Sequence, residues 1–161
     1  MKKFLRVFLI FIGVFFLASC GSKIETKTFV GSPQDGIDST LTYTYQGDKV
    51  LTQTAKNIVS YDKLGITKEE AKTALEPVSK QYEDIKGLDY KLTYEDIKGL
   101  DYKLTYEDKQ AIEKLTINYE KLDYDKAKKV DGIQIDGDSS KGISMKKSQE
   151  LVESQGYTEQ K

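Results

Sequence analysis

Few residue types in this 161-residue chain can do chemistry near neutral pH, and one of them stands at a distinctive place. Cys20 is the single cysteine, histidine is absent, and the other reactive side chains are carboxylates, lysines, hydroxyls and eleven tyrosines. Histidine is the side chain best suited to proton transfer near neutrality, and zinc sites normally need histidine or cysteine ligands. The sequence therefore predicts a protein that is not an enzyme and holds no metal or cofactor. Cys20 is then the one residue to which the sequence assigns a chemical role.

Cys20 ends a segment that has the three parts of a secretory signal. Residues 1–6 carry three positive charges and no acid, residues 7–18 are apolar and uncharged, and small residues stand just before the cysteine. The apolar run is shorter than the roughly 20 residues that a membrane-spanning helix needs. We therefore expect a signal peptide rather than a transmembrane anchor.

The residues before Cys20 indicate how this signal is removed. Leu17-Ala18-Ser19-Cys20 resembles the lipobox of bacterial lipoproteins. The resemblance implies that the signal peptide, residues 1–19, is released by cleavage between Ser19 and Cys20, and that the Cys20 thiol carries a diacylglyceryl group with acyl chains such as palmitate. Two acyl chains hold a protein stably at a membrane, whereas one holds it only marginally. The alternative is a free thiol in a secreted domain, which suits an oxidising compartment poorly.

The mature chain is expected to be one acidic domain. Residues 1–19 hold three of the 25 basic residues and none of the 26 acidic residues, which leaves 22 against 26 and a net charge of −4. Lysines and acids are interspersed along the sequence, so the sequence indicates neither a nucleic-acid surface nor a basic face for a membrane. We expect a tether at 20–26, a single domain at 27–161, and attachment through the lipid.

A β-hairpin is the clearest local prediction. Residues 40–45 alternate between apolar and threonine side chains, as a half-buried strand does. Turn residues follow at 46–49, and residues 50–55 form the partner strand. A shorter strand at 27–30 and a turn-rich loop at 31–36 precede the hairpin. The apolar face of its first strand consists of Leu41, Tyr43 and Tyr45.

Two helices are expected to pack on the sheet. Thr67–Glu70 matches a capping box at the start of a helix that is predicted to run over about 67–86. An apolar stripe with three- and four-residue spacing follows, and Pro77 inside it predicts a kink or a break. A short C-terminal helix, capped by Ser144, is predicted at about 145–155. The stripe consists of Ala71, Ala74, Leu75, Val78, Tyr82 and Ile85.

A perfect repeat is the least usual feature of the chain. Residues 82–93 recur without change as residues 94–105, and 106–108 begin a third copy. The repeat is shorter than a solenoid unit, and its even length keeps every strand side chain on its original face. We interpret 82–105 as a tandem duplication tolerated at a loop, with the extra copy forming an added hairpin. The alternative is a doubled, tyrosine-bearing binding face.

The remaining segments complete an α+β fold. Leu115, Ile117 and Tyr119 alternate as a further strand, and residues 130–142 are rich in glycine and aspartate, as a surface loop is. The whole pattern predicts an antiparallel, meander-like sheet packed by one longer helix and by the short C-terminal helix.

Three weaker patterns suggest binding sites. A set of aspartates could bind calcium, but Ala127 stands where an EF-hand needs a ligand and no glutamate closes the loop, so we interpret the set as solvated. The tyrosines could stack on a ligand, but most lie at alternating strand positions that favour packing. Residues 141–144 lead into a helix start, which could hold an anion. The aspartates are Asp123, Asp125, Asp131, Asp136 and Asp138.

Short motifs spread along the chain are similar to those of the YehR-like family of small bacterial lipoproteins. The resemblance implies an α+β domain with an antiparallel sheet, a lipidated cysteine and no assigned activity. The family pattern passes once through the twelve repeated residues, whereas this chain passes through them twice. The motifs that carry the resemblance are Cys20–Lys23, Thr28–Phe29, Gln34–Gly36, Leu41–Val50, Gln53–Thr54, Lys68–Ala71, Asn118–Glu120 and Lys141–Ser144.

These features predict a non-catalytic, lipid-anchored binding or accessory domain of the bacterial cell envelope, outside the cytoplasm. Its partner is expected to be a small ligand or an envelope protein, not a nucleic acid. The signal composition resembles that of low-GC Gram-positive bacteria, which would place the lipid in the cell membrane; in a Gram-negative cell Gly21 would favour the outer membrane. The alternatives are a structural or protein-interaction module of the envelope, and a carboxylate- or tyrosine-dependent enzyme that acts on envelope polymer.

Overall fold

The computed structural model describes residues 10–12, 23–82, 85–93, 110–130, 133–135 and 142–161. Their α+β architecture confirms the predicted class. The strands are β1 (Ile10–Ile12), β2 (Ile24–Gln34), β3 (Ile37–Gln46), β4 (Lys49–Ser60), β5 (Leu88–Thr93), β6 (Gln110–Asn118), β7 (Ile133–Ile135), β8 (Ile143–Ser144) and β9 (Thr158–Gln160). The helices are α1 (Tyr61–Leu64), α2 (Lys68–Tyr82), α3 (Tyr124–Ala127) and α4 (Met145–Ser154).

Seven strands form one antiparallel sheet. Its order is β5-β6-β4-β3-β2-β9, and β8 pairs with the first two residues of β4. A separate parallel pair joins β1 to β7. Because β1 lies in the predicted signal peptide, cleavage before Cys20 would remove it and leave the seven-stranded sheet complete.

The predicted hairpin is confirmed, and it is longer than expected. β3 and β4 pair from Ile37 to Gln46, and the side chains of β3 alternate between buried and partly exposed along its length. The segment predicted as a loop at 31–36 is instead mostly strand. β2 continues to Gln34 with a register shift after Gly31, and only Asp35 and Gly36 turn the chain. An irregularity of this kind accommodates Pro33, which has no N–H to donate.

Helix α2 starts at the predicted capping box. The Thr67 backbone N–H donates to Glu70 Oε2 at 2.8 Å, and the Glu70 N–H donates to Thr67 Oγ1 at 3.2 Å. The first of these bonds lowers the pKa of the Glu70 carboxyl below its usual value. The expected break at Pro77 does not occur, because the helix continues through Pro77 to Tyr82. Packing of its buried residues Ala71, Leu75 and Tyr82 offsets the lost backbone hydrogen bond.

The first copy of the repeat forms the end of α2 and the edge strand β5. Between them, the Gly87 carbonyl accepts from the Asn118 N–H at 2.6 Å, and the Lys86 carbonyl accepts from the Asp123 N–H at 2.7 Å. Gly87 has φ +84°, and a Cβ at this position would overlap the backbone at Leu122, so only glycine is accommodated here. The second copy, residues 94–105, lies outside the described residues, and so does its predicted hairpin.

Helix α4 forms in the C-terminal third of the chain, as the sequence predicted. Ser144 caps this helix, since its Oγ accepts from the Lys147 N–H at 3.2 Å, and the helix ends just before Gly156. The short strand β9, which was not predicted, returns along β2. No helix in the described part of the chain is long and apolar enough to cross a membrane.

The core has two apolar clusters. The larger one lies between the central strands, α3 and α4 and includes Phe29, Tyr43, Val50, Ile117 and Val152. The smaller one packs α1 and α2 on the opposite end of β4 and β6. The residues described for these two clusters and for the seven-stranded sheet all lie from Ile24 onward.

Candidate functional site

The predicted lipidation and cleavage residues, Cys20 and Ser19, lie outside the described residues, so cleavage and lipidation stay predictions. The sheet itself begins at Ile24, inside the segment predicted to be a tether. Ile24 pairs with Gln46, at the end of the sheet where the β3–β4 hairpin turns. The seven-stranded sheet therefore starts four residues after Cys20, beside that turn.

Asp48, in the turn between β3 and β4, hydrogen-bonds to residues at the start of helix α4. Asp48 Oδ2 accepts from Ser144 Oγ at 2.7 Å, and Oδ1 accepts from the Lys146 N–H at 2.8 Å. The Met145 N–H donates to the Asp48 carbonyl at 2.7 Å. Free amides and the helix dipole make a helix start favourable for a carboxylate. The predicted anion site at 141–144 is thus already filled by a carboxylate of the protein.

Other motif residues join the same region, which we call the hairpin corner: Asp48, Lys49, Gln53, Tyr119, Glu120 and Ser144. Lys49 Nζ lies 3.2 Å from Glu120 Oε1. The Tyr119 N–H donates to the Leu51 carbonyl at 3.0 Å, and the Tyr119 hydroxyl donates to Gln53 Oε1 at 2.6 Å. Motifs up to 96 residues apart in the sequence therefore meet in one structural unit.

The aspartates considered for calcium do not form a shared site among the described residues. Asp123 caps α3 by accepting from the Lys126 N–H at 3.1 Å, and Asp125 lies in the first turn of that helix. Across the described part of the chain, no group of three or more acidic or thiol side chains is arranged to hold a metal ion. Asp131, Asp136 and Asp138 lie outside the described residues.

The tyrosines whose side chains are described pack in the interior rather than on a ligand-binding face. Tyr124 is half-buried, and the other six are buried: Tyr43, Tyr45, Tyr61, Tyr82, Tyr119 and Tyr157. Burial raises the pKa of Tyr43, Tyr119, Tyr124 and Tyr157 above the ordinary value. These hydroxyls therefore keep their protons at neutral pH and do not act as general bases there. The remaining tyrosine side chains, at 90, 94, 102 and 106, lie outside the description.

A row of polar side chains crosses the buried face of the sheet. Ser39, Asn57 and Glu113 are register neighbours on β3, β4 and β6, and each exposes 7% of its surface or less. Asn57 Nδ2 donates to Glu113 Oε2 at 2.8 Å, and Ser39 hydrogen-bonds the side chain of Tyr157. We call these three residues the polar row. It lies between the apolar rows that belong to the two core clusters.

The polar row was not predicted from the sequence, although the alternation of side chains along the strands locates its positions. Leu115 and Ile117 were recognised as inward-facing, and continuing their alternation backwards places Glu113 on the same side. The same step places Asn57 between the inward-facing Ala55 and Val59. Charged and amide side chains inside an alternating strand are the signal, since such groups are buried only with partners.

Comparison with known proteins places the chain in a family. The model of the family described as "Protein of unknown function (DUF1307)" matches residues 25–98 and 93–158. The chain belongs to this family. The two matched segments overlap at 93–98, inside the repeated residues, which agrees with a family pattern that passes once through a stretch present twice here.

Relatives extend over the full chain. The uncharacterized lipoprotein Lmo0207 of Listeria monocytogenes is 43% identical over 160 residues, which cover 99% of this chain and 96% of that protein. The uncharacterized lipoprotein YehR of Escherichia coli is 36% identical over 166 residues, which cover all of both. These matches confirm the resemblance to the YehR-like family. The names of the relatives include no enzymatic activity.

Solved structures agree with the fold. The NMR structure of E. coli YehR superimposes with a TM-score of 0.65 at 34% identity and covers 87% of this chain and 93% of that one. An NMR structure of a protein from Streptococcus pneumoniae matches with a TM-score of 0.54 at 18% identity and covers 91% of each chain. The second match supports the architecture alone.

Breaking the polar row is expected to destabilise the DUF1307 domain. Glu113→Ala or Asn57→Ala should each lower the free energy of unfolding by about 2–4 kcal/mol, because each leaves its partner buried without its hydrogen bond. The double variant should lose less than the sum, with a coupling of about 1–3 kcal/mol. Urea unfolding measures these values, and Lys56→Ala on the exposed face of β4 is the control. Strict additivity would contradict a direct bond between the two side chains.

Two buried tyrosines are expected to respond differently to loss of their hydroxyls. Tyr119→Phe should cost about 1–2 kcal/mol in the free energy of unfolding, because Gln53 Oε1 loses its buried donor. The Tyr43 hydroxyl is buried without a hydrogen-bond partner among the described residues, so Tyr43→Phe should be neutral or stabilising. Urea unfolding of the two matched variants tests the difference. An equal loss in both would show that Tyr43 has a hydrogen bond.

Proposed function

We propose that this protein is a lipoprotein of the bacterial cell envelope, held at a membrane by a diacylglyceryl group on Cys20, with a domain that does not catalyse a reaction. The observation that supports this most is the similarity to proteins named lipoproteins, which extends over 99% of this chain and so includes the segment around Cys20. The basic start, apolar core and small residues before Cys20 supply the cleavage and lipidation signals independently.

The position of the first strand suits a domain held close to its membrane. Only residues 21–23 separate Cys20 from β2, so the lipid and the sheet are joined by a short link. A protein exported by such a signal lies outside the cytoplasm. The composition of the signal favours a Gram-positive cell, in which the lipid occupies the outer leaflet of the cell membrane.

The use of the polar side chains supports a binding or accessory role rather than catalysis. The carboxylates of Asp48, Glu70 and Asp123 cap helices, and the buried Glu113 carboxylate bonds to Asn57. These four acidic groups are thus engaged in holding the fold. The partner of the domain is a small ligand or another envelope protein.

A protein-interaction module is the second candidate, and the sheet edges favour it. Among the described strands, β9 lies at one edge, is three residues long and is fully exposed, and β5 lies at the other edge. An exposed edge can pair with an extended segment of another protein. A thermal-shift screen against envelope sugars, peptides and ions would separate the two candidates. A ligand that binds the folded domain raises its melting temperature, by an amount that grows with the logarithm of ligand concentration over dissociation constant. A shift with sugars or ions favours a small ligand, and a shift with peptides alone favours the interaction module.

Replacement of Cys20 is expected to release the protein from the membrane. Cys20→Ala should abolish incorporation of radiolabelled palmitate and move the domain from the membrane fraction to the soluble or secreted fraction, because no acyl chain can be attached. Ser22→Ala, two residues away, is the matched control and should keep both properties. Acyl labelling that persists in Cys20→Ala would refute the anchor.

A further inference from the structure

The outer side of strand β2 is paired over only part of its length among the described residues. β2 pairs with β3 along nearly its whole length on one side. Of the described strands, β9 alone pairs with the other side, and it does so at Thr28, Phe29 and Val30. The backbone of residues 24–27 is therefore open on this side to another strand. We call residues 24–27 the open edge.

The side chains at the start of the open edge differ from the one at its end. Ile24 is the large hydrophobic side chain that is exposed among the described residues, with 57% of its surface accessible. Lys23 and Glu25, on either side of Ile24, are exposed, and neither forms an ion pair with a described residue. Lys27, in contrast, lies 3.1 Å from Glu159 Oε2. An unpaired cation, an exposed apolar side chain and an unpaired anion thus follow one another where the sheet begins.

This order of side chains is complementary to itself. In an antiparallel pair of two copies with a two-fold axis at Ile24, each Lys23 lies opposite Glu25 of the other copy. Side chains that are directly opposite have Cβ atoms about 4.5–5.5 Å apart, so the two Ile24 side chains would contact each other. Two pairs of opposite charge would flank them, and such cross-strand pairs stabilise a sheet.

Other two-fold registers of the open edge lack this match. An axis at Glu25 would place the two Glu25 carboxylates opposite each other, and like charges at such positions are destabilising. An axis at Thr26 would place Ile24 opposite Thr28 of the other copy, where Gln160 of β9 is already paired. The charges and β9 together therefore select the axis at Ile24.

We propose that the open edge pairs with the open edge of a second copy of this chain, around a two-fold axis at Ile24. A contact of this kind uses the same surface on both copies, so it closes as a dimer and does not extend into a fibre. β9 sets the length of the pair, because it occupies the outer side of β2 from Thr28 onward. The proposal deepens the interaction module considered above by naming its partner as the chain itself.

Attachment through Cys20 favours so short a pair. Stable interfaces in solution usually bury more than about 1,000 Å², so a pair of a few residues is weak between free molecules. The four residues from Cys20 to Ile24 span at most about 14 Å when extended, so lipid anchors hold the open edges of neighbouring copies close to one surface. Confinement to that surface raises the effective concentration of each copy for the other. In this respect the dimer rests on the proposed anchor, whereas its register depends on β2 alone.

Disulfide cross-linking of the full-length protein in membranes tests the two-fold contact. Cys20 is the single cysteine, and in the proposed anchor its thiol carries lipid, so Ile24→Cys adds one free thiol to each copy. Cα atoms of directly opposite residues lie about 4.5–5.5 Å apart, within the range that a disulfide bridges. Mild oxidation of Ile24→Cys should therefore give a disulfide-linked dimer on a non-reducing gel, and the unsubstituted chain should give none.

Gln46→Cys is the matched control for this experiment. Gln46 is the register partner of Ile24 on β3. In the dimer, the two copies of Gln46 are separated by three strand spacings, or about 14 Å, which is beyond the reach of a disulfide. Cross-linking of Gln46→Cys should therefore be much weaker than that of Ile24→Cys. Equal cross-linking would report random collisions in the membrane and would overturn the two-fold contact.

A charge swap tests the register. Added to Ile24→Cys, Lys23→Glu should lower the yield of dimer roughly fivefold, because each reversed side chain then faces Glu25 of the other copy. Glu25→Lys in the same chain restores two opposite-charge pairs and should restore the yield. Lys56→Glu, on the exposed face of β4, changes the net charge as Lys23→Glu does and should leave the yield unchanged. A swap that does not restore the yield overturns the axis at Ile24.

The same variants separate the dimer from the anchor. Palmitate labelling of each variant reports the anchor, and the non-reducing gel reports the contact. Labelling of Ile24→Cys without a disulfide-linked dimer overturns the dimer and leaves the anchor in place. Labelling together with a dimer that follows the charge swap supports both.

Discussion

The two-residue period of β3, β4 and β6 is the constraint on which the rest of the structure depends. One face of these strands must be buried, so register is fixed, and rows of side chains run across the three strands. Two of these rows are apolar and belong to the two core clusters; between them Ser39, Asn57 and Glu113 form a polar row. A buried carboxyl group needs hydrogen-bond partners, so the Asn57–Glu113 bond favours one register for the pairing of β4 with β6.

The hairpin corner fixes the C-terminal segment to this sheet. Asp48 satisfies the start of α4 with its carboxylate and its carbonyl, and β8 adds two residues to the edge of β4 at the same place. Four of the motifs that resemble the YehR-like family contribute residues here and have structural roles. Family membership therefore explains the fold of this chain more directly than it explains what the domain binds.

Much of the fold could be predicted where one local pattern decides the outcome. The alternation of Leu41, Tyr43 and Tyr45, the capping box at Thr67 and the Ser144 cap all depend on neighbours within a few residues. Prediction was wrong where distant contacts decide. The turn-rich residues after Val30 are strand because they pair with β3. Of the kink or break expected at Pro77, the break is absent, and α2 continues past Pro77 with Ala71, Leu75 and Tyr82 buried. Local propensity is the weaker term in both cases.

The sequence by itself predicted a signal segment and a role for Cys20, and it determined the class of the fold and the presence of the exact repeat. These depend on composition, on short-range spacing or on the identity of residues, all of which are local. Only the tertiary structure decided that Asp48 fills the start of α4 and that Glu113 and Asn57 meet inside the sheet. The physical reason is that strand pairing brings together distant residues, such as Thr28 and Gln160, and charge and hydrogen bonding act between neighbours in space.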